Sequence, residues 1–354
     1  MNYQKNTTTY YNVDGKKICG IHEHAPDTGN FIKTTWYNPD GTIDYITEYN
    51  PQTGNRIKDT ICNSDGKTID YIREFDSKTR NLIKKTLYYS NGTISYISEY
   101  DPQTGNEIKY IAYKKDGKTI DFIYEYDPQT ENRIKDTICN SDGKTIDYIR
   151  EFDSKTRNLI KKTLYYSNGT ISYISEYDPQ TGNEIKYIAY KKDGKTIDFI
   201  YEYDPQTENR IKDTICNSDG KTIDYIREFD SKTRNLIKKT LYYSNGTISY
   251  ISEYDPQTGN EIKYIAYKKD GKTIDFIYEY DPQTGKKIKQ IVYNSDGTIY
   301  FILEYDPQTE NRTKYTLYNS DGTKVINEYD PQTGNRIKKT WYNYDGTFKK
   351  VQTF

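Results

Sequence analysis

The chain is built from short alternations of apolar and polar residues, cut at regular intervals by turns. Stretches such as Arg56-Ile57-Lys58-Asp59-Thr60-Ile61 and Ile69-Asp70-Tyr71-Ile72-Arg73-Glu74-Phe75 put residues two apart on a common side, which predicts pleated strands. Two kinds of turn separate them. One is Tyr49-Asn50-Pro51-Gln52-Thr53-Gly54-Asn55, in which Asn or Asp opens the turn, Pro pre-sets φ and Thr bonds the backbone. The other is Ser64-Asp65-Gly66-Lys67 or Ser90-Asn91-Gly92-Thr93, where the glycine supplies a positive φ. Glycines of the second kind recur from Gly15 to Gly346. Gly66, Gly92 and Gly117 lie 26 and then 25 residues apart, and the last step, Gly322 to Gly346, is 24. A fixed period of this size marks a repeat array.

Asn91-Gly92 reads as a two-residue hairpin loop and Asp65-Gly66-Lys67 as a three-residue loop with a glycine bulge, so the extra residue of the longer units is absorbed in the turn. The register that follows sets Leu87 opposite Tyr96, Lys84 opposite Glu99 and Ile83 opposite Tyr100. Around Gly66 it sets Ile61 opposite Tyr71, Lys58 opposite Glu74 and Ile57 opposite Phe75. Across the proline loop it sets Glu48 opposite Lys58 and Tyr49 opposite Ile57. One face then carries alternating Lys and Glu from Lys33 and Glu48 onward to Lys338, with a middle rung of Ile72, Thr86, Ile97 and Ile111. The other, adhesive face carries Ile57, Phe75, Ile83, Tyr100 and Ile108, with Ile61, Tyr71, Leu87 and Tyr96. A slip of one residue would send every side chain to the wrong face. The predicted fold is all-β: an elongated antiparallel β-meander of tandem 25–26-residue two-strand hairpin repeats, up to 28 strands for the fourteen glycine turns. Strand twist would coil it into a ribbon or open solenoid.

Residues 55–130 recur without change at 132–207 and 209–284, an offset of 77 (209 − 132). The array therefore divides into divergent N-terminal capping repeats (1–54), three near-identical blocks of three hairpins (55–285) and divergent C-terminal repeats (286–354). Trp36 and Trp341, the two tryptophans, hold one in-unit position near the two ends, where large side chains would shield the outer strands. In the proline-type loops Glu131, Glu208, Glu310, Arg80, Arg157 and Arg234 replace the glycine. The nearly constant residue after it, as in Asn55, Asn81 and Asn132, is the expected left-handed position.

Mean hydropathy is −1.02, which alone suggests disorder. The 41 tyrosines and the regular isoleucines suit strands instead. A net charge of −1 points to neither nucleic acid nor an anionic membrane. No run reaches the ~20 apolar residues of a membrane helix. The stretch Met1-Asn2-Tyr3-Gln4-Lys5-Asn6-Thr7 has no apolar core of a signal peptide, so the expectation is a cytoplasmic protein, secreted or surface-borne only if the start differs. Cys62, Cys139 and Cys216 are copies of one position, about 29 Å apart over six strands at ~4.8 Å each, too far for a disulfide.

Candidate chemistry is sparse. Cys19, His22 and His24 stand where later units have Asp70, Arg73 and Phe75. The two histidines share a face, as a metal site would require, while Cys19 lies on the other; drift of an end unit is the preferred account of them, and no metal is predicted. Asn63-Ser64-Asp65-Gly66 through Asp70 lacks the spaced carboxylates of a calcium loop. Asn91-Gly92-Thr93 has the form of a glycosylation sequon but is first a hairpin signal. Lys–Glu pairs repeated in every unit are structural, since a catalytic carboxylate needs one special environment. The expectation is no catalytic residue, no cofactor and no metal.

The unit, written through Glu99-Tyr100-Asp101-Pro102-Gln103-Thr104-Gly105-Asn106 and Asp116-Gly117-Lys118-Thr119-Ile120, resembles over nearly the whole chain a repeat family of unknown function found in mollicutes, phytoplasmas especially. That resemblance implies a bacterium living inside a host, and brings no activity or site residues. More loosely, Tyr100-Asp101-Pro102 with Thr104-Gly105 is similar to tyrosine-aspartate repeats of secreted shell proteins. The Asp-Gly hairpins are similar to MORN-type and choline-binding repeats, without the paired tryptophans of the latter. The functional expectation is a non-catalytic scaffold presenting a multivalent surface to a protein partner, with no nucleic acid and no membrane insertion. The alternative is a self-associating structural or surface protein, adhesin-like, held through its tyrosine face. A glycan-binding aromatic strip is disfavoured by the scarcity of tryptophan.

Overall fold

A computed structural model describes residues 6–354; Met1 to Lys5, the start of the stretch read for a signal peptide, lie outside the described residues. The chain forms two compact units, one running to Ile171 and one from Ser172 to Phe354. The first holds β1 (Asn6–Tyr11), β2 (Ile18–His24), β3 (Phe31–Tyr37), β4 (Ile43–Tyr49), β5 (Arg56–Cys62), β6 (Ile69–Phe75), β7 (Leu82–Tyr88), β8 (Ile94–Tyr100), β9 (Glu107–Tyr113), β10 (Ile120–Tyr126), β11 (Arg133–Cys139), β12 (Ile146–Phe152) and β13 (Leu159–Tyr165). The second holds β14 (Ile171–Tyr177), β15 (Glu184–Tyr190), β16 (Ile197–Tyr203), β17 (Arg210–Cys216), β18 (Ile223–Phe229), β19 (Leu236–Tyr242), β20 (Ile248–Tyr254), β21 (Glu261–Tyr267), β22 (Ile274–Tyr280), β23 (Lys287–Tyr293), β24 (Ile299–Tyr305), β25 (Arg312–Tyr318), β26 (Lys324–Tyr329), β27 (Arg336–Tyr342) and β28 (Phe348–Thr353). In each unit consecutive strands pair antiparallel, an open meander of hairpins. The 28 strands match two per glycine turn.

The central register is the predicted one. Glu48 faces Lys58, Lys58 faces Glu74, Lys84 faces Glu99, Ile61 faces Tyr71 and Leu87 faces Tyr96. The ends of the hairpins differ. Tyr49 pairs with Arg56, not Ile57, and Phe75 pairs with Leu82. The expected partnership of Ile57 with Phe75 lies outside the ladder, which runs there from Lys58–Glu74 to Cys62–Ile69. The turns are each one residue longer than expected. Tyr89 N–H bonds Thr93 C=O across a three-residue loop, and Asn63 N–H bonds Thr68 C=O across a four-residue loop. Gly92 carries the positive φ and Asn91 does not, which excludes the turn with two positive φ values in succession. A bulge on the outgoing strand cancels the added residue. Tyr88 pairs with Ile94 but Leu87 with Tyr96, so Ser95 is unopposed; Cys62 pairs with Ile69 but Ile61 with Tyr71, so Asp70 is unopposed. Loop and bulge errors offset each other, and within each unit the middles of the hairpins are as the pattern predicts. Where β25 meets β26 there is no shift. The unit that lacks its bulged residue is the one whose glycines are 24 apart, 346 − 322.

The left-handed position of the proline-type loop is also corrected. Positive φ falls at Gly54, Arg80 (φ 67), Glu131 (φ 60) and Arg157 (φ 65), not at the asparagine that follows. That asparagine is kept for a different reason: its side-chain amide donates to the next loop on the same side of the ribbon. Asn81 Nδ2 reaches Pro102 O at 3.0 Å, Asn106 reaches Pro128 O at 3.0 Å and Asn132 reaches Ser154 O at 2.8 Å. The glycine turns stack likewise. A Cβ on Gly143 would run into Thr119 of the preceding turn, so glycine is required there both by φ and by close approach.

Neither face has a conventional core. Apart from Ala25 in a loop, the most buried side chains are polar and sit mid-strand, among them Thr34, Thr86, Ser98, Asp59, Asp136 and Asp213. Trp36 lies in β3 and stacks on Tyr10 of β1 with centroids 6.3 Å apart, and Trp341 lies in β27 with Lys350 of β28 at 4.9 Å from its ring, so each tryptophan reaches toward an outer strand as the pattern suggests. The Lys–Glu face is confirmed, with Lys135–Glu125 at 3.2 Å and Lys212–Glu202 at 3.1 Å. These pairs are half-exposed, and each contributes only ~0.2–1 kcal/mol.

Candidate functional site

The face expected to be aromatic and aliphatic has a central rung that is neither throughout. Reading across the ladders it runs Asp59, Arg73, Lys85, Ser98, Tyr110, Tyr124, then Asp136, Arg150 and Lys162. The second unit repeats it from Tyr201 through Asp213, Arg227 and Lys239 to Ser252. The pattern-based reading missed this rung because it assigned the charges to the Lys–Glu face. Strict period-two counting from Ile57 and Ile61 would have placed Asp59 between them.

Asp136 is wholly buried. Arg150 donates to its Oδ2 from Nη2 at 2.7 Å and from Nε at 3.1 Å. Arg133 Nε lies 3.0 Å from Oδ1, outside hydrogen-bond geometry, so that oxygen has an ionic neighbour but no bonded donor. Arg133 is three residues from Asp136 and belongs on the opposite face of a regular strand. The bulge beside it turns it over, since Tyr126 pairs with Arg133 while Glu125 pairs with Lys135. Aromatic rings hold the cations. Arg133 lies 4.8 Å from the Tyr124 ring centroid, Arg150 lies 5.4 Å from that of Tyr148, and Lys162 Nζ lies 5.9 Å from Tyr148. Each cluster thus sets three cations, Arg133, Arg150 and Lys162, against one carboxylate, a local surplus of two (3 − 1). The Asp213 cluster has the same geometry, with Arg227 at 2.7 Å and Arg210 at 3.0 Å. At Asp59 the neighbouring strand is different: Thr47 stands where Tyr124 and Tyr201 stand later, and its hydroxyl donates to Oδ1 at 3.1 Å.

The first-unit residues do not assemble as ligands. Tyr10 pairs with Gly20 and Tyr11 with Ile18, so Cys19 is the bulged residue, away from the histidine row. His24 Nδ1 is 3.2 Å from Gly29 O. His22 is packed among Tyr10, Phe31 and Trp36, with centroids at 4.5, 5.2 and 5.4 Å. Both its ring nitrogens are buried without a partner. Burial, and secondarily the neighbouring His24, lowers its pKa, so the ring is neutral at pH 7. Among the described residues no cluster of three or more His, Cys, Asp or Glu could hold a metal. Asp65 is spent on its own turn, accepting from Lys67 N, Thr68 N and Thr68 Oγ1. Cys139 and Cys216 are free, and burial raises both thiols, opposite to the shift a nucleophilic thiol needs.

Beside His22 the aromatic face opens into a hollow of about 350 Å³ lined by His22, Phe31, Thr34, Trp36, Tyr45, Thr47, Tyr49 and Arg56. A larger space of about 1040 Å³ lies between the turns around Gly297 and Gly322 and is lined mainly by turn residues. No helix among the described residues is long and apolar enough to cross a membrane.

A family model described as a protein of unknown function (DUF2963) matches in twelve windows, among them 10–61, 62–112, 165–215 and 318–354, which together tile the chain from residue 10 to its end. The chain belongs to the DUF2963 family. Each full window spans two hairpins, and successive windows at 62, 88 and 113 start 26 and 25 residues apart, so the DUF2963 unit is the hairpin pair seen in the fold. The comparison with curated proteins finds no match. Among solved structures the chain is similar to an S. aureus TarM G117R mutant in complex with fondaparinux, alpha-GlcNAc-glycerol and UDP, at 15% identity over 29% of this chain and 19% of that one, TM-score 0.21. It is also similar to TcdB2-TccC3, at 11% identity over 98% of this chain and 24% of that one, TM-score 0.20. The chain thus spans about a fifth to a quarter of those structures, and neither likeness bears on its activity.

Proposed function

We propose that this DUF2963 array is a non-catalytic scaffold that binds a protein partner multivalently through its basic and aromatic face. The observation that supports this reading is the recurrence of the Asp–Arg–Arg–Lys cluster, with its rings, at Asp59, Asp136 and Asp213. Ring-held cations with a local surplus of positive charge suit an acidic partner segment, and Tyr and Arg are favoured anchors at interfaces. Copies set at fixed intervals raise avidity without any new contact. Three sequence-identical blocks also argue against one specialised catalytic environment. The test uses poly-glutamate peptide as a probe of the face. Affinity should fall stepwise in chains lacking one and then two 77-residue blocks, and should fall with salt. Binding unchanged by block number would reject the scaffold reading.

Self-association is the second reading. It is supported by large side chains that stay exposed among the described residues, such as Phe31 and Tyr300. Sedimentation velocity over a hundredfold range of concentration separates the two readings. A constant monomer counts against self-assembly.

A further inference from the structure

We propose that the hollow beside His22 is a binding site for a neutral pyranose sugar. Its origin lies in the central rung of the aromatic face. That rung crosses β2 to β5 as His22, Thr34, Thr47 and Asp59. In the repeated blocks the corresponding positions carry long side chains or a lone serine flanked by them, as at Lys85, Ser98, Tyr110 and Tyr124. Two adjacent short threonines, themselves covered by the surrounding rings, leave a hollow trough between those rings. The space beside them, about 350 Å³, is enough for a single sugar ring. Its volume is at the small end of the range for ligand sites.

The walls are aromatic on both sides. Trp36 and Tyr45 lie stacked with centroids 6.2 Å apart, and Phe31 and Tyr49 lie 5.6 Å apart across the trough. Trp36 packs closely against Gly20 of β2, where a Cβ would approach its ring to 3.1 Å and push it aside by a few tenths of an ångström. The equivalent positions across the ladder at Tyr71 and Tyr96 carry rings instead.

Charge selects the ligand class. Arg56 is the cation at the rim, and it is already paired with Asp59 at 3.2 Å and lies over the Phe75 ring at 4.0 Å. His22 is neutral, as shown above. No carboxylate lines the trough. An anion would find its only cation occupied, and a cation would meet Arg56 with no counter-charge. A neutral molecule with flat C–H faces and a hydroxylated edge fits best. The faces would lie on Trp36 and Tyr45. The hydroxyls would meet the phenol groups of Tyr45 and Tyr49, which also line the hollow. This is a single local site, distinct from an array-wide aromatic strip.

The test uses the full chain carrying Trp341→Phe, which leaves Trp36 as the sole indole. A panel of methyl glycosides of glucose, galactose, mannose and N-acetylglucosamine is titrated by tryptophan emission and by saturation-transfer NMR. At least one glycoside should shift Trp36 emission and receive saturation at its ring protons. Thr34→Tyr restores the long side chain of the later repeats, is compatible with the strand, and should weaken that binding at least tenfold. Thr34→Ser, which keeps the hollow, should leave it within threefold. The proposal is overturned if no glycoside binds at 50 mM. It is also overturned if Thr34→Tyr, folded by circular dichroism, binds as well as the parent, or if tetramethylammonium or inorganic phosphate competes as effectively as the sugar.

Discussion

Replacing Asp136 by alanine tests whether the buried ionic rung holds the sheet together. The carboxylate is fully enclosed, while the two guanidinium-bearing side chains around it keep 41% (Arg133) and 36% (Arg150) of their surface exposed. Deleting one partner of a buried ion pair costs ~3–5 kcal/mol when the survivor stays buried. Here the survivors retain water, so the loss is that of charge-assisted hydrogen bonds, ~1.5–3 kcal/mol. About 2 kcal/mol is a roughly 30-fold increase in local opening. Long arrays do not unfold in one step, so a global melting curve is the wrong readout. Hydrogen exchange by mass spectrometry reads the local event. The blocks at 132–207 and 209–284 are identical, so peptides bearing the substitution differ in mass from the untouched copies, which serve as a reference in the same sample. Amides of β11 and β12 should exchange about 30 times faster than those copies, and Asp136→Asn, which keeps an acceptor for Arg150, should show about half the free-energy loss. Exchange within threefold of the reference copies would refute the argument, because it would mean that Arg133 and Arg150 regain from water all that they gain from the carboxylate.

Four further outcomes follow from the same geometry. Asn132→Ala removes the amide bond to Ser154 O and should destabilise the neighbouring loop by about 1 kcal/mol, seen as faster amide exchange and protease nicking between residues 153 and 157. Replacing the six left-handed side chains, Arg80, Glu131, Arg157, Glu208, Arg234 and Glu310, by glycine should slow amide exchange in their loops, because left-handed backbone is strained for them; unchanged or faster exchange there would show that the entropy of the added glycines wins. Asp116, Asp193 and Asp270 are held at a pKa of about 2 against an ordinary 3.8, first by the side-chain hydroxyls of Thr119, Thr196 and Thr273. Their folded-state pKa is depressed, so their contribution is complete above pH 4 and is lost as pH falls from about 4 to 2; Thr119→Val should move the Asp116 titration upward in a carboxyl NMR experiment. Deleting residues 132–208 removes one period and should leave a soluble all-β chain by circular dichroism; an unfolded product would show that the blocks are not independent modules.

Sequence alone determined the class, the period and, within each unit, the middles of the hairpins. Polar and apolar residues alternate with period two, the turns recur at fixed spacing, and only one register puts Lys against Glu and rings against aliphatics, as at Lys58–Glu74 and Ile61–Tyr71. Such information is local, carried by residues adjacent in the chain or across one turn. Tertiary structure decided what depends on distances between turns and strands. It lengthened each glycine loop and cancelled the gain with a bulge at Ser95 or Asp70, a trade invisible to any count that sees only their sum. It moved the left-handed residue from Asn132 to Glu131, whose N–H closes the turn on Asp127 O, and gave the asparagine a carbonyl 22 residues away. It carried Arg133 onto the face of Asp136 through another bulge. It also brought His22, Thr34, Trp36 and Thr47 from three strands around one hollow. A space is set by what neighbouring side chains fail to fill, and that is fixed only when the strands are laid side by side.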